Sequence, residues 1–139
     1  MTNFEYACPD TEQEAVEMHR EAGDAATDLA AGTDLVTLLK TDVVRPQRVV
    51  DITRIDSLRG IEPTEEGVVI GALTTLEDIL ESPVLADFPS LRDVALGVRA
   101  LQIQQNGTLG GDLCHLPNCW YFRNGYGLLG RENGKSLTE

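Results

Sequence analysis

Glycines, thiols and aromatic rings are concentrated between residues 106 and 120, where three glycines stand beside two cysteines, a histidine and a tryptophan. Glycine permits positive φ angles and leaves backbone N–H groups exposed, so closely spaced glycines can cradle an anion. Thiolates and imidazole are metal ligands, and aromatic rings pack against planar groups. We therefore interpret this stretch as the functional centre, with an anion-binding half followed by a half suited to a metal cluster or a redox cofactor.

A second glycine-bearing turn lies upstream, at residues 31–35, and the comparable part of the first stretch is residues 107–112. Each turn could present several N–H groups to a pyrophosphate, because oriented backbone dipoles bind phosphate without cationic side chains. Neither turn carries the lysine of a Walker A loop or the Gly-x-Gly-x-x-Gly spacing of a dinucleotide fold. Taken singly, each is better explained as an ordinary tight turn.

The elements that would position the upstream turn follow a βαβαβ order. They are a strand at residues 4–6, a helix over 11–22, a strand at 27–30, a helix around 35–39 and a strand at 48–52. The first helix is marked by Thr11 and Glu14, which have the spacing of a capping box, and by Gly23, which stops it. This order predicts a small parallel sheet with helices packed on it.

The character of the chain changes after residue 60. A hairpin is predicted from residues 61–62 and 68–72, followed by a helix that Thr75 and Asp78 cap and that ends at Ser82. Ser90 and Asp93 are predicted to cap a further helix, which leads directly into the glycine-rich stretch. Residues 125–139 lack hydrophobic periodicity and are predicted to form a loop.

Composition and charge exclude several classes of partner. The net charge is −12, with 23 acidic and 11 basic residues, which disfavours nucleic acid and anionic membranes. No uncharged run approaches 18 residues and the first residues lack a secretory signal, so a cytoplasmic location is expected. Three cysteines form no regular disulfide framework. Because Lys40 and Lys135 are the only lysines, a halophilic host and an ordinary acidic protein both remain open.

Both turns, in this order, resemble the signatures of a known family. Residues 29–35 (Leu-Ala-Ala-Gly-Thr-Asp-Leu) are similar to the Leu-x-Ala-Gly-Gly-Thr-Asp-Leu signature of the flavoprotein (medium) subunits of molybdenum hydroxylases. That family includes xanthine, carbon monoxide and aldehyde dehydrogenases and 4-hydroxybenzoyl-CoA reductase. Residues 106–113 (Asn-Gly-Thr-Leu-Gly-Gly-Asp-Leu) are similar to the second signature, Arg-Asn-x-Gly-Thr-Ile-Gly-Gly-Asn. The resemblance covers about residues 4–123.

The resemblance implies an α+β (α/β) chain with the two-subdomain FAD-binding fold of the vanillyl-alcohol-oxidase/p-cresol-methylhydroxylase type. Residues 1–56 would form the βαβαβ subdomain, and residues 57–139 an incomplete second subdomain. FAD would lie between them, with its pyrophosphate against both turns. The implied contacts are Ala31, Gly32, Thr33, Asp34 and Leu35 on one side, and Thr108, Gly110, Gly111 and Asp112 on the other.

Three positions depart from the family signatures. One of them, Gln105, occupies the arginine position before Asn106, which removes a positive charge. Ala31 replaces a glycine, so a positive φ angle there would cost about 1 kcal/mol or more. Asp112 replaces an asparagine, and its carboxylate would repel a nearby phosphate unless it faces away or caps the next helix.

The two cysteines of the stretch, Cys114 and Cys119, have the spacing Cys-x₄-Cys. Some members of the resembled family carry a [4Fe–4S] cluster whose first cysteines occur in a comparable context, which makes a cluster one hypothesis. A metal site normally needs four donors, and only His115 is a local third candidate. Free or buried thiols are therefore the alternative. Residues 120–126 hold four of the aromatic side chains. Two interpretations are open for them: packing against a flavin or a partner subunit, and a local hydrophobic cluster under a loop.

No Ser-His-Asp set, paired carboxylates or HExxH motif is visible, so no residue is assigned to proton transfer. The resemblance implies an electron-transfer subunit that passes electrons from iron–sulfur centres to an acceptor. Its partners would be a molybdopterin-containing large subunit and a [2Fe–2S] small subunit. Two alternatives remain: an assembly module of the same fold that binds no FAD, and a small metal-binding domain built on Cys114, His115 and Cys119.

Overall fold

The computed structural model describes residues 2–124 and 126, and the backbone of residues 131–132 and 135–136. Strands and helices are mixed along the chain, which is an α+β arrangement. The strands are β1 (Glu5–Ala7), β2 (Ala26–Leu29), β3 (Arg48–Asp51), β4 (Ile61–Pro63), β5 (Val68–Ile70), β6 (Arg131–Glu132) and β7 (Lys135–Ser136). The α-helices are α1 (Glu12–Ala22), α2 (Leu35–Lys40), α3 (Leu76–Glu81), α4 (Pro89–Gly97), α5 (Leu101–Asn106), α6 (Leu109–Leu113) and α7 (Trp120–Arg123).

The first three strands form a parallel sheet in the order β1-β3-β2, which confirms the predicted parallel sheet. β3 is central, and its Val49 and Val50 are buried. Val50 packs with Ala15 of α1 and with Ile55, so one face of α1 covers the sheet. Because β2 and β3 run in the same direction, their carboxyl ends lie at one edge of the sheet.

The start of α1 shows how local sequence determines an element. The hydroxyl of Thr11 accepts a hydrogen bond from the backbone N–H of Glu14 at 3.2 Å. The carboxylate of Glu14 accepts from the backbone N–H of Asp10 at 2.9 Å, instead of from Thr11 as a full capping box requires. The helix ends where Gly23 adopts a φ angle of 56°.

The second half of the described chain packs around a separate hydrophobic cluster. Strands β4 and β5 pair as the predicted antiparallel hairpin. Thr75 and Asp78 form the predicted capping box at the start of α3, with both reciprocal hydrogen bonds present. The buried members of the cluster are Leu76, Ile79, Leu85 and Ala95, contributed by α3, the following 3-10 turn and α4.

Three expectations from the sequence are wrong. α4 begins at Pro89 with Phe88 as its N-cap, so Ser90 and Asp93 do not cap it; proline suits the first helical position because its missing N–H needs no acceptor. α4 does not lead directly into the glycine-rich stretch, since Val98 is extended and α5 intervenes. Strands β6 and β7 pair within the predicted C-terminal loop, and the remainder of residues 127–139 lies outside the described residues.

Over the described ranges, none of the helices has both the length and the apolar character that crossing a bilayer requires.

Candidate cofactor-binding site

The upstream turn, residues 31–35, connects the carboxyl end of β2 to α2. Gly32 adopts a φ angle of 75°, in the left-handed region that glycine accepts without strain. A Cβ atom at Gly32 would lie 2.9 Å from Cγ2 of Val36 and 3.2 Å from Cδ1 of Leu29, so the side chains of both neighbours would have to shift to admit it. Ala31 has no positive φ angle, and the glycine missing there therefore causes no backbone strain.

The backbone donors of this turn are unoccupied within the described part of the protein. The N–H groups of residues 32–35 have no hydrogen-bond acceptor there, although the carbonyls of Gly32 and Asp34 accept bonds from α2. Val36 N–H donates to Gly32 at 3.3 Å, and Thr37 N–H donates to Asp34 at 3.0 Å. An unpaired N–H group is costly only where water and ligands are excluded, and Thr33 is exposed. The turn therefore offers donors to a bound anion.

The downstream turn, residues 107–112, uses its backbone donors differently. Its first three helical N–H groups all donate to protein oxygens. The bonds run from Leu109 to the carbonyl of Thr74 at 2.9 Å, from Gly110 to the carbonyl of Ala72 at 2.8 Å, and from Gly111 to the hydroxyl of Thr108 at 3.2 Å. A Cβ atom at Gly110 would lie 2.9 Å from both the Cβ atom and the carbonyl oxygen of Ala72. The glycine thus permits a close backbone approach that joins α6 to the segment before α3.

Both turns border one open cleft of about 290 Å³. Its size is at the low end for ligand pockets, so it would accommodate one part of a large ligand. The cleft is lined by Ala31, Thr53, Arg59, Leu73, Thr75, Gln105, Asn106 and Thr108. Two of the nine predicted contacts, Ala31 and Thr108, are among these residues. The other seven, Gly32, Thr33, Asp34, Leu35, Gly110, Gly111 and Asp112, are not, and their role as cofactor contacts stays a prediction.

Thr53 is a lining residue that the motifs did not reveal. It follows the end of β3 by two residues, as Ala31 follows the end of β2. In open sheets with parallel strands, ligands bind beyond the carboxyl ends of the strands, so strand direction was the signal that could have found it. Arg59 and Gln105 lie in or beside the segments that resemble the family, but the sequence does not predict them as lining residues, and only tertiary packing brings their segments to the cleft.

The position of Thr53 is supported from beneath by Asp51. One carboxylate oxygen of Asp51 accepts from the backbone N–H of Thr53 at 2.9 Å and from its hydroxyl at 2.6 Å, and the other accepts from the hydroxyl of Tyr6. Burial of the Asp51 carboxyl raises its pKa, but the hydrogen bonds outweigh burial and hold the pKa below its ordinary value. The hydrogen bond from Tyr6 to Asp51 raises the pKa of the Tyr6 hydroxyl to about 12.

A charged contact ties the upstream turn to the cysteine-bearing segment. Nη2 of Arg123 lies 3.0 Å from Oδ1 of Asp34, and Nε2 of His115 lies 4.0 Å from Oδ2 of the same carboxylate. Arg123 also donates from Nε to the carbonyl of Pro117 at 3.2 Å. The Arg123 and Asp34 side chains are only 18% and 29% exposed, so solvent screens the pair less than it screens surface pairs. Residues 115–123 therefore fold back onto the turn that follows β2.

The cysteines occupy structural positions at helix ends. Cys114 follows the last residue of α6, and the sulfur of Cys119 accepts a hydrogen bond from the backbone N–H of Phe122 at 3.4 Å, as the N-cap of α7. All three cysteines are free, and among the residues described no group of three or more His, Cys, Asp or Glu side chains could hold a metal ion. The [4Fe–4S] hypothesis gains no support from this arrangement.

Two further features of the stretch are exposed. Trp120 is 85% exposed, so it does not form the packed cluster that was one interpretation of the aromatic residues. Asp112 is exposed and is not among the residues that line the cleft. The N-cap of the next helix is Cys119, which means that Asp112 does not cap it.

Residues 2–118 match the family model described as the FAD binding domain in molybdopterin dehydrogenase. The carbon monoxide dehydrogenase medium chain of Hydrogenophaga pseudoflava is 38% identical over 113 residues, which are 81% of this chain and 39% of that protein. The glyceraldehyde dehydrogenase medium chain of Sulfolobus acidocaldarius is 32% identical over 109 residues, 78% of this chain and 38% of that protein. The chain therefore spans about two fifths of the length of the curated relatives that it matches.

Solved structures of similar dehydrogenases share the fold of this chain. Carbon monoxide dehydrogenase from Hydrogenophaga pseudoflava superposes with a TM-score of 0.78 at 36% identity, covering 82% of this chain and 40% of that chain. Quinoline 2-oxidoreductase from Pseudomonas putida 86 superposes with a TM-score of 0.76 at 29% identity, over the same shares of the two chains. Because the family model matches most of the residues of this chain, the chain belongs to the FAD-binding domain family of the molybdopterin dehydrogenases, a family of oxidoreductase subunits.

Proposed function

We propose that this chain forms part of the FAD-binding site of an electron-transfer subunit in a molybdenum hydroxylase-type oxidoreductase. The observation that carries the proposal is the meeting of the two glycine-bearing turns at one cleft, where Ala31 and Thr108 are both lining residues. The unoccupied N–H groups of residues 32–35 lie in the turn that Ala31 begins. Donors of this kind suit the pyrophosphate of a dinucleotide.

The finer architecture is part of the same proposal. We assign residues 1–56 to one subdomain and residues 57–139 to an incomplete second subdomain, in a fold of the vanillyl-alcohol-oxidase/p-cresol-methylhydroxylase type. Two separate hydrophobic clusters support this division, one around Val50 and Ile55 and the other around Leu76 and Ile79. The cleft takes lining residues from both sides of the boundary, as a ligand held between two subdomains requires.

The residues of this chain would hold the cofactor, and FAD would supply the redox chemistry. The turn at residues 31–35 would bind the pyrophosphate through its backbone, and Thr108 would form the opposite wall. Ala31 and Thr108 would limit how far the ligand could shift across the cleft. No side chain of this chain is assigned to proton transfer, which is consistent with a subunit that positions a cofactor.

The partners and the location are proposed from the relatives and from the thiols. Similar proteins are named medium chains of carbon monoxide and glyceraldehyde dehydrogenases. By analogy, the partners of the complete subunit would be a molybdopterin-containing large subunit and a [2Fe–2S] small subunit, with electrons passing from the iron–sulfur centres to an acceptor. The three free cysteines support a cytoplasmic location, where thiols remain reduced.

Titration with FAD tests the proposal. We expect the purified chain to give a bound flavin spectrum and a higher melting temperature, because a ligand that binds only the folded state stabilises it. Gly32→Ala should weaken binding, since it disturbs the turn with free donors. Gly97→Ala is the matched control, because a Cβ atom there would meet nothing within 4 Å. A folded chain that shows neither a bound spectrum nor a change in melting temperature would contradict the proposal.

A second function, that of an assembly module without FAD, is favoured by a specific observation. The N–H groups of Leu109, Gly110 and Gly111 are already bonded within the protein, so the downstream turn serves packing as it stands. Trp120, at 85% exposure, is a side chain of the type enriched at protein interfaces. A folded chain that ignores FAD but binds its partner subunits would support this second function.

A further inference from the structure

The cleft has an unusual charge for this protein. The chain has 23 acidic residues against 11 basic ones, yet among the described residues no aspartate or glutamate lines the cleft. Arg59 is the charged side chain among the lining residues. The carboxylates of Asp51, Asp78 and Glu77 bond to the lining residues Thr53, Thr75 and Gln105 but do not themselves line the cleft. The formal charge on the lining surface is therefore positive, which would favour an anionic ligand over a neutral one.

The backbone on either side of Arg59 is held in place by the segment that leads into α3. The carbonyl of Leu58 accepts from the N–H of Leu73 at 2.7 Å. The carbonyl of Gly60 accepts from the N–H of Gly71 and from the hydroxyl of Thr74, both at 2.9 Å. Arg59 is exposed, but the hydrogen bonds of its two neighbours fix its main chain. The position of its Cα atom relative to the cleft is therefore fixed as well.

The side chain of Arg59 is also oriented. Its Nη2 donates to the carbonyl of Thr53 at 2.7 Å, and Thr53 is itself held by the carboxylate of Asp51. A guanidinium group has five N–H donors in a planar fork, so one bond to a carbonyl leaves donors for a second partner. The bond to Thr53 therefore orients the guanidinium group of Arg59 without neutralising its charge.

Four other arginines of the described chain pair with carboxylates. Arg20, Arg48, Arg54 and Arg123 each have a carboxylate oxygen within 4.0 Å. Arg45, Arg92 and Arg99, like Arg59, have no carboxylate partner among the described residues, but none of those three lines the cleft. The bond from Arg59 to Thr53 is to a neutral carbonyl. A held guanidinium without a counter-charge is suited to an oxyanion, because a phosphate accepts two parallel N–H bonds from one guanidinium group.

We infer that Arg59 is the residue that selects a phosphorylated ligand in this cleft, by pairing with the diphosphate of FAD. This inference rests on the proposed function and adds a specificity-determining residue to it. The glycine-bearing turn supplies neutral backbone donors, whereas Arg59 supplies the charge. Arg59 thereby distinguishes a dinucleotide, or pyrophosphate itself, from an uncharged flavin such as riboflavin.

Three variants separate the charge of Arg59 from its shape. Arg59→Gln removes the charge, Arg59→Lys keeps the charge without the planar fork, and Arg92→Gln removes an arginine that does not line the cleft. Binding of FAD, inorganic pyrophosphate and riboflavin is measured by calorimetry at low and moderate salt. Circular dichroism and melting temperature confirm that each variant is folded.

We expect Arg59→Gln to weaken FAD and pyrophosphate binding by roughly tenfold or more and to reduce the salt dependence of both, because a charge-assisted hydrogen bond is lost. Arg59→Lys should fall between Arg59→Gln and the natural chain, and Arg92→Gln should bind as the natural chain does. Riboflavin binding should be the same in all variants.

The outcomes distinguish this inference from the proposed function. If the natural chain binds FAD and Arg59→Gln binds it within about twofold and with the same salt dependence, Arg59 is not the selecting residue and the proposed function stands. If the natural chain binds pyrophosphate in an Arg59-dependent way but does not bind FAD, the inference about anion selection stands and the proposed function fails. A natural chain that binds neither ligand overturns both.

Discussion

The turn at residues 31–35 leaves four backbone N–H groups without an acceptor in the described chain. In the turn at residues 107–112, by contrast, five N–H groups donate to protein oxygens, including carbonyls of Ala72 and Thr74. Both turns contain glycine and both border the same cleft. Glycine serves a positive φ angle in the first turn and a close backbone approach in the second. Turns that contain glycine can therefore offer donors to a ligand or join two segments by close packing. Whether their backbone N–H groups already have protein acceptors distinguishes the two cases.

Mutations in the two turns should affect different properties of the protein. Changes in the downstream turn should act on folding, since its donors hold α6 against the segment before α3. Changes in the upstream turn should act on ligand binding more than on folding, because its N–H groups have no acceptor among the described residues.

The largest effect is expected from Gly110→Ala. The new Cβ atom would lie 2.9 Å from the carbonyl oxygen of Ala72, and backbone cannot rotate out of the way as a side chain can. Overpacking together with a weakened hydrogen bond from Gly110 to Ala72 should lower the free energy of unfolding by roughly 2–4 kcal/mol. Urea unfolding followed by circular dichroism measures the loss.

The control for this variant is Gly97→Ala, at a glycine of α4 with open space around its Cβ position. Its free energy of unfolding should stay the same or rise by about 0.5 kcal/mol, because alanine restricts the unfolded chain. Equal losses in the two variants would mean that the contact with Ala72 does not hold the downstream turn.

Gly32→Ala should have a smaller effect on folding and a larger one on binding. A left-handed φ angle costs a non-glycine residue about 1–2 kcal/mol, and the new Cβ atom would crowd Val36. The free energy of unfolding should fall by about that amount, while FAD affinity falls about tenfold or more because the N–H groups are redirected. Paired measurements of unfolding and FAD titration check this, with Ala31→Gly as the variant that should retain binding. Unchanged FAD affinity in folded Gly32→Ala would remove the upstream turn from the site.

Breaking the bond between Asp34 and Arg123 should have a moderate effect. Both side chains are partly buried and their atoms lie 3.0 Å apart, so a double-mutant cycle of Asp34→Asn and Arg123→Gln should give a coupling free energy of about 1 kcal/mol. The exposed pair of Arg20 and Glu17 is the comparison, and its coupling should be about 0.3 kcal/mol. Equal coupling in the two pairs would show that residues 115–123 are not tied to the upstream turn.

The smallest effect concerns Tyr6, which bonds to the carboxylate that supports Thr53. Because its folded pKa is raised to about 12, the contact stabilises the folded protein fully below pH 10 and is lost as pH rises from about 10 to about 12. In Tyr6→Phe, the free energy of unfolding should no longer include the decrease that this contact causes between about pH 10 and about pH 12. Tyrosinate absorbance should show one group with a midpoint near 12 that is absent from the variant, and circular dichroism at the same pH values checks that the fold persists. Identical titrations would contradict the contact.

The alternating order of strands and helices predicted the parallel sheet, although its strand pairs join segments that are far apart in the chain. Local signals predicted the hairpin and the capping box of α3, because both depend on residues close in the chain. They failed at the start of α4, where Pro89 took the first helical position, and they missed α5 altogether. Hydrophobic periodicity indicates that a helix is present, but it does not fix the first helical residue, and it does not report the extended conformation of Val98 that separates α4 from α5.

The sequence by itself determined the family and the two turns, since both signatures are contiguous and rest on residue types. Only the tertiary structure decided which turn keeps its N–H groups free, because the acceptors for Leu109 and Gly110 are carbonyls of Thr74 and Ala72, far upstream in the chain. The same holds for Arg59, whose side chain reaches the cleft through a bond to Thr53. Hydrogen-bond partners and local charge depend on which segments meet in space, and residue spacing along the chain does not specify that.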